Sequence, residues 1–251
     1  MLSAESLTIT TFADAGIRQA APTTVYASGN QLYVGTIDGT KPSASRALVA
    51  FDLSAVPANA TITSASVKLF AMVNDGSSVL TDPITTVTLD LHALNSSFGE
   101  TGATWNSSSS GSNWTTAGGD FDATVLASAQ LPTRGTVPAG GRISLLESAS
   151  LLTLIQQKHA AGSIVYLLLK ADSAGETASE RQTVMLSTRE DTTDGASGAQ
   201  LIISYSTSQI PEASTSALGL GLGGAIVAAA HAATRIRRSP PPPSGAQKRL
   251  H

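Results

Sequence analysis

The chain has no cysteine among its 251 residues. That absence excludes a disulfide framework, a cysteine nucleophile and any thiolate metal site, while leaving export open, because exported domains also fold without disulfides. Histidine is almost as scarce. Of four, His231 and His251 lie in the terminal tail, and the two that remain, His92 and His159, cannot assemble a three-histidine zinc centre. No G-x-S-x-G, HExxH, P-loop or EF-hand pattern occurs, so the familiar hydrolase, metalloprotease, nucleotide and calcium-loop chemistries have no foothold. Charge is thin as well, at 13% of residues. The 33 Ser and 29 Thr therefore supply most of the solvent-facing polarity, the dress of a β-rich extracellular protein. The length sits near the upper end for one all-β domain plus a tail.

The net charge of -3 conceals two unlike objects joined near Pro211. Residues 1–210 hold 10 basic and 17 acidic side chains, a net of -7, whereas residues 211–251 hold 5 basic and one acidic, a net of +4. The acidic part offers no electrostatic footing for nucleic acid. In the basic part an uncharged, Gly- and Ala-rich run, residues 217–233, is followed by Arg235, Arg237 and Arg238 and then by a Pro-rich tail over 239–251, expected to be disordered. The run falls slightly short of the ~20 residues that span a bilayer, so it reads as a weak transmembrane-type helix. Basic residues after it place the carboxyl end in the cytoplasm and the larger part outside. A buried Gly/Ala-rich helix is the alternative. The glycines from Gly219 to Gly224 lack the preceding strand that a phosphate-cradling loop needs.

Period-2 patterning dominates residues 1–210. Val87, Leu89, Leu91 and Ala93 alternate with Thr86, Thr88, Asp90 and His92, the signature of a half-buried antiparallel strand. Similar runs cover 46–53, 61–73, 164–170, 181–189 and 199–205, separated by turn clusters at 37–40, 56–59, 74–77 and 194–195. Only 150–161 reads as helix, with Leu151, Leu152, Leu154 and Ile155 available for burial and Gly162 placed to end it. The expectation is an all-β, jelly-roll-type β-sandwich with one short helix, plus the C-terminal transmembrane-type helix.

Two resemblances sharpen this picture. Pro211-Glu212, the short apolar run and the arginine cluster resemble the PEP-CTERM sorting signal of Gram-negative bacteria over residues 210–238. That resemblance implies recognition by an exosortase, a membrane sorting enzyme, with Pro211, Glu212, Arg235, Arg237 and Arg238 as signal residues, and association with exopolysaccharide and envelope material. Export then calls for a signal peptide, which Met1 to Ser6 do not supply, so an in-frame upstream extension is expected to encode one. Within residues 1–209, the succession Ala13-Asp14-Ala15, Leu32-Tyr33-Val34-Gly35, Arg46 to Ser54, Val56 to Ala65, Glu100 with Thr104-Trp105-Asn106, Tyr166 to Leu169, and Ser187-Thr188-Arg189-Glu190 is similar to the DNRLRE domain. That resemblance implies a β-sandwich module of secreted proteins that overlaps a carbohydrate-binding family with alginate-binding members. Residues 107–140, rich in Ser and Gly, read as an insertion beyond it.

Candidate chemistry is sparse. Asp120 and Asp122, one residue apart, share a strand face and offer hard oxygen ligands to calcium, and Glu190 and Asp191 form another acidic couple; solvated loop acids are the alternative. No other cofactor is implied. Arg46 and Arg189 offer guanidinium forks to uronate carboxylates, or else pin strand ends against Asp52 and Glu190. Trp114 reads as an exposed platform for sugar stacking and Trp105 as core. His92 falls on the polar face of its strand. The resulting expectation is an exported, non-catalytic envelope or matrix protein that binds polysaccharide and is transiently anchored by residues 217–233. A polysaccharide lyase or glycosidase and a purely structural adhesin are the competing readings. A groove gathering Asp120, Asp122, Arg46 or Arg189 with Trp114 would separate them.

Overall fold

A computed structural model describes residues 2–37, 43–72, 85–133, 136–137, 141–191 and 198–208. The strands are β1 (Leu2–Thr10), β2 (Ala13–Arg18), β3 (Gln31–Thr36), β4 (Ala44–Asp52), β5 (Ala60–Ala71), β6 (Thr86–Ala93), β7 (Ser107–Ser109), β8 (Ser112–Asn113), β9 (Ala127–Pro132), β10 (Arg142–Glu147), β11 (Ile164–Ala171), β12 (Gln182–Ser187) and β13 (Gln200–Ser208). Two α-helices accompany them, α1 (Ala149–Ala160) and the single turn α2 (Ser173–Glu176), with a 3-10 turn at Leu53–Ala55.

Strands pair antiparallel throughout. β5 carries β13 on one edge and β10 on the other, since Ser66, Val67 and Lys68 pair with both. β1 extends that group beyond β13. A second group runs β2, β4, β11, β6, β9. The pair β3 and β12 joins the groups through narrow seams, Leu186 to Ala71 on one side and Gly35 to Ser45 with Thr36 to Ala44 on the other. Val67, Leu69, Leu201 and Ile203 of the first group meet Val49, Phe51, Leu89, Leu91, Leu167 and Leu169 of the second in one buried cluster. The strands are therefore two packed layers, an all-β sandwich, each layer contributing its apolar face.

Alternation explains who points inward, and one slip in it is informative. On β5 the buried residues are Ile62 and then Ala65, Val67, Leu69 and Ala71, even numbers giving way to odd. The register shifts at that place, where Ser204 opposes Ser64 but Tyr205 opposes Ile62. The extra residue, Thr63, is a bulge that lets both phases of the strand face the core.

Helix α1 begins one residue earlier than the periodicity suggests, because Ser148 caps it by accepting from Leu151 N at 3.0 Å. Its Leu151 and Ile155 are fully buried, and Gly162 follows it at φ +60°. Gln156 Nε2 donates to Ile62 O at 2.9 Å, tying the helix to β5.

The second layer is buried on both faces. Ala47, Val49 and Phe51 of β4 enter the main core, whereas Ala44, Leu48 and Ala50 enter a separate cluster with Ala13, Ala15 and Ile17 of β2 and Leu168 of β11. Leu94, Phe98, Ala103, Trp105 and Trp114, from the segment between β6 and β9, cover that outer face. The Ser/Gly-rich stretch is thus a cap with its own core.

These residues belong to one unit, Met1–Ile210. Among the described residues no helix is long and apolar enough to cross a membrane. The expected span 217–233 and the signal residues Pro211, Glu212, Arg235, Arg237 and Arg238 lie outside the described residues.

Candidate functional site

The residues singled out by sequence are used by the scaffold. Arg46 leaves β4 beneath the cap and meets Glu176, which the single turn α2 presents; Asp172 sets that turn by accepting from Gly175 N at 2.7 Å. Arg46 Nε donates to Glu176 Oε1 at 2.6 Å and Nη2 to Oε2 at 2.9 Å, a bidentate fork, while Nη1 donates to Gly118 O at 2.7 Å. The guanidinium also lies 4.8 Å from the Trp105 ring centroid and 5.2 Å from that of Phe121. Every guanidinium nitrogen is engaged and the side chain is 13% exposed, so Arg46 has nothing left for a ligand. Its carboxylate is Glu176 rather than the expected Asp52, which caps the turn after β4 by accepting from Ser54 N at 2.8 Å. Gly118 is required here: its φ is +95°, and a Cβ would lie 2.8 Å from both Arg46 Nη1 and Trp105 Cζ2.

Arg189 is also claimed. Its Nε and Nη2 donate to Glu100 at 2.9 and 2.8 Å, Nη1 donates to Phe12 O at 2.9 Å, and Glu190 Oε1 lies 2.8 Å from Nε. Burial works against the charged guanidinium, but Glu100, Glu190 and Asp14 hold its pKa above the usual arginine value.

Trp114 does not form an exposed platform. It is 5% exposed, and its indole Nε1 donates to Thr104 O at 2.9 Å inside the cap, where the hydrogen bond meets its one polar need. Trp105 is buried with it. The aromatic surface that sequence assigned to a sugar builds the second core.

Asp120 and Asp122 organise the chain between them and β6. Asp120 accepts from Thr115 N and Thr116 N, both at 2.7 Å, and Asp122 accepts from Thr124 N at 2.7 Å. Burial would raise the Asp120 carboxyl, yet the two main-chain donors outweigh it and hold it below the usual range. Thr124 N does the same for Asp122. Among the described residues no three Asp, Glu or His side chains converge on a metal position. In place of the expected calcium, main-chain N–H groups stabilise these anions. An open pocket of about 590 Å³ beside them is lined by Asn95, Thr115, Thr116, Asp120 and Phe121, and neither arginine nor Trp114 reaches its wall. This pocket therefore does not gather Asp120 and Asp122 with Arg46, Arg189 or Trp114.

His92 departs from its expected polar face. It is 4% exposed, its ring centroid 4.9 Å from that of Phe121, and Nδ1 donates to Asp122 O and Thr124 O at 2.9 and 3.1 Å. The chain running from Phe121 to Thr124 covers this end of β6.

A different place has the features of a ligand groove. Arg18 ends β2, Tyr33 lies on the solvent-side alternation of β3, and Tyr26 is brought beside them by the bridge between Gly16 and Tyr26. The Arg18 guanidinium lies 3.8 Å from the Tyr26 ring centroid and 4.7 Å from that of Tyr33. Tyr33 Oη donates to Gln31 Oε1 at 2.7 Å. With Val25, Ser28 and Asn30 these groups line an open groove of about 490 Å³. Among the described residues Arg18, unlike Arg46 and Arg189, has no carboxylate partner. The sequence held a faint signal for it, an arginine one strand away from an outward tyrosine, but nothing in the sequence brings Tyr26 to them.

A profile of the disaggregatase related repeat domain family matches residues 14–140. The chain belongs to that family. The matched residues run through the Ser/Gly-rich stretch 107–140. No curated protein matches the chain. Among solved structures it is similar to a candidate glycoside hydrolase from Bacteroides thetaiotaomicron, at 12% identity over 80% of this chain and 70% of that one, with a TM-score of 0.25. So distant a likeness carries no argument. The family segment contains Asp14, Arg18, Tyr26, Tyr33, Arg46 and both tryptophans, whereas Glu176 and Arg189, which hold Arg46 and Asp14, lie beyond it.

Proposed function

We propose that this chain is an exported, non-catalytic β-sandwich protein that binds polysaccharide through the groove of Arg18, Tyr26 and Tyr33. The observation that carries this reading is a half-buried guanidinium lying against two tyrosine rings with no carboxylate partner among the described residues. Aromatic faces bury the apolar C–H surface of a sugar ring, and a preorganised fork reads hydroxyls or a carboxylate at little entropic cost. Ser28, Asn30 and Gln31 supply further donors and acceptors around the opening. The domain's net charge of -7 opposes a strongly anionic polymer at long range, so neutral and uronate-bearing glycans compete on equal terms.

The acids support the non-catalytic reading: the raised carboxyl, Asp14, is 1% exposed and so out of a substrate's reach. Glycosidic cleavage needs two carboxyl groups flanking the bond, one with a raised pKa. Asp120 is the one carboxylate lining the larger pocket, and it is held below the usual range.

The finer assignment rests on the sequence resemblances: a jelly-roll-type DNRLRE module carried to the envelope by a PEP-CTERM-like signal at 210–238. In it, residues 217–233 anchor the chain until an exosortase acts. Mass spectrometry of the secreted fraction should find chains lacking 217–251; full-length chains in the medium would overturn the sorting assignment. For the groove, the full chain is screened on a glycan array and the best ligand titrated by calorimetry. Arg18→Gln and Tyr33→Ala should each weaken binding at least tenfold without lowering the thermal midpoint. Undiminished binding in both variants would overturn the groove assignment.

A further inference from the structure

The turn after β12 carries an excess of buried oxygen. Asp191 N donates to Thr188 O at 3.2 Å to close it, and Arg189 N, inside it, donates to Asp14 Oδ2 of β2 at 2.9 Å. Asp14 N in turn donates to Glu100 Oε1 at 3.0 Å. Three carboxylates thus share Arg189: Asp14 takes its main-chain N–H, and Glu100 and Glu190 divide its guanidinium. Asp191 Oδ2 accepts from Ser187 Oγ at 3.1 Å. Asp14 and Glu190 each leave an oxygen over. Asp14 Oδ1, Thr188 Oγ1 and Glu190 Oε2 are all buried and have no hydrogen-bond partner. Asp14 and Thr188 are each 1% exposed, so bulk water does not reach them.

These three orphans lie on this turn or on the carboxyl that it grips. Asp14 Oδ1 shares its carboxyl with the oxygen that Arg189 N grips, and Thr188 and Glu190 are the residues on either side of Arg189. When both are ionised, two carboxylate oxygens cannot satisfy one another, because both only accept. Thr188 has a single proton to give. Burial raises the Asp14 carboxyl to about 7, against the Arg189 N–H bond that lowers it and with a smaller contribution from the charges of Glu190 and Glu100.

We propose that this turn is a cation site that takes calcium, with Asp14 Oδ1, Glu190 Oε2 and Thr188 Oγ1 as side-chain ligands and main-chain carbonyls or water completing the shell. The donors are hard oxygens, as calcium requires, and they come singly from three residues, an irregular set that suits its flexible six- to eight-fold coordination. Magnesium demands a regular octahedron and keeps its own water. A bound water would meet the hydrogen-bond deficit but not the charge deficit. The site shares no residue with Asp120 and Asp122, and it does not depend on the glycan groove.

The test uses the full chain, stripped by chelator and titrated with calcium chloride at constant ionic strength and pH 7.5, followed by calorimetry and thermal midpoint. A saturable response is expected, with a dissociation constant of roughly 10⁻⁴ to 10⁻³ M, the range of extracellular modules with few charged ligands. Affinity should fall at least tenfold at pH 5, as protons compete for Asp14, and at least tenfold in Glu190→Gln and Asp14→Asn. Glu190→Gln serves if Asp14→Asn does not fold. Asp122→Asn should bind as the parent does. No saturable response, an equal response to magnesium, or a response lost in Asp122→Asn but kept in Glu190→Gln would each overturn the proposal.

Discussion

Arg18 and Arg46 leave neighbouring strands, with Arg46 opposite Ile17 and Arg18 opposite Ser45 in the β2–β4 register. Both lie against aromatic rings. Arg46 sits under the cap with Glu176, Gly118 O and Trp105, and Arg18 lies in an open groove with Tyr26 and Tyr33. The difference is the carboxylate. Once the cap excludes water from Arg46, an unpaired charge there would cost several kcal/mol, so the fold supplies Glu176. At the edge, Arg18 keeps its hydration and can exchange it for a ligand. An arginine in a recognisable motif is thus no guide to binding until its counter-ion is known.

The comparison breaks most sharply when the buried side is disarmed. Glu176→Ala leaves Arg46 as an uncompensated charge beneath the cap, and stability should fall by ~3–5 kcal/mol in chemical denaturation, against under ~0.5 kcal/mol for Arg18→Gln. Equal losses would mean that Arg18 is also a scaffold residue. Trp114→Ala and Trp105→Ala should each cost ~3–5 kcal/mol, because both tryptophans fill the second core. A Trp114→Ala protein with an unchanged midpoint would restore it as an exposed platform.

Next in size is a pH effect on the metal-free chain. Asp14 titrates near 7 when folded and near 3.8 in the ordinary state. Between those values the folded chain holds a proton that the unfolded chain has released, so stability is highest at the acid end and declines as pH rises toward 7. The integrated loss has an upper limit of about 4 kcal/mol. Asp14→Asn should flatten this slope, measured as denaturation midpoint against pH in chelator, and an unchanged slope would place the titrating group elsewhere. The smallest expected effect belongs to Asp122→Ala. It removes a turn bond to Thr124 N and should cost ~1 kcal/mol while leaving the groove's ligand affinity unaltered.

Much of the fold was legible before any coordinates. The runs expected at 46–53, 61–73, 164–170 and 199–205 are β4, β5, β11 and β13, and the one expected helix is α1. They were legible because a half-buried strand writes its burial into every second residue. β1 was not, since its Ser- and Glu-containing sequence owes its strand state to nine pairs with β13. Nor was α2, a single turn set by the Asp172 cap. The bulge at Thr63 was invisible too, because a phase slip within a run reads as noise.

What the sequence determined by itself was local: strand periodicity, the helix with its stop, the lack of thiol and histidine chemistry, the change of character at Pro211. Tertiary structure decided which polar and aromatic side chains are spent on the scaffold. Trp114 lost its platform because the cap folds over β4 and β11, and Arg46 lost its freedom because α2 delivers Glu176 from 130 residues away. Pairing distant charges and burying large rings depend on contacts far apart in the chain, which carry no period. The same long-range contacts gather Arg18, Tyr26 and Tyr33 into a groove and crowd Asp14 against the turn at Thr188.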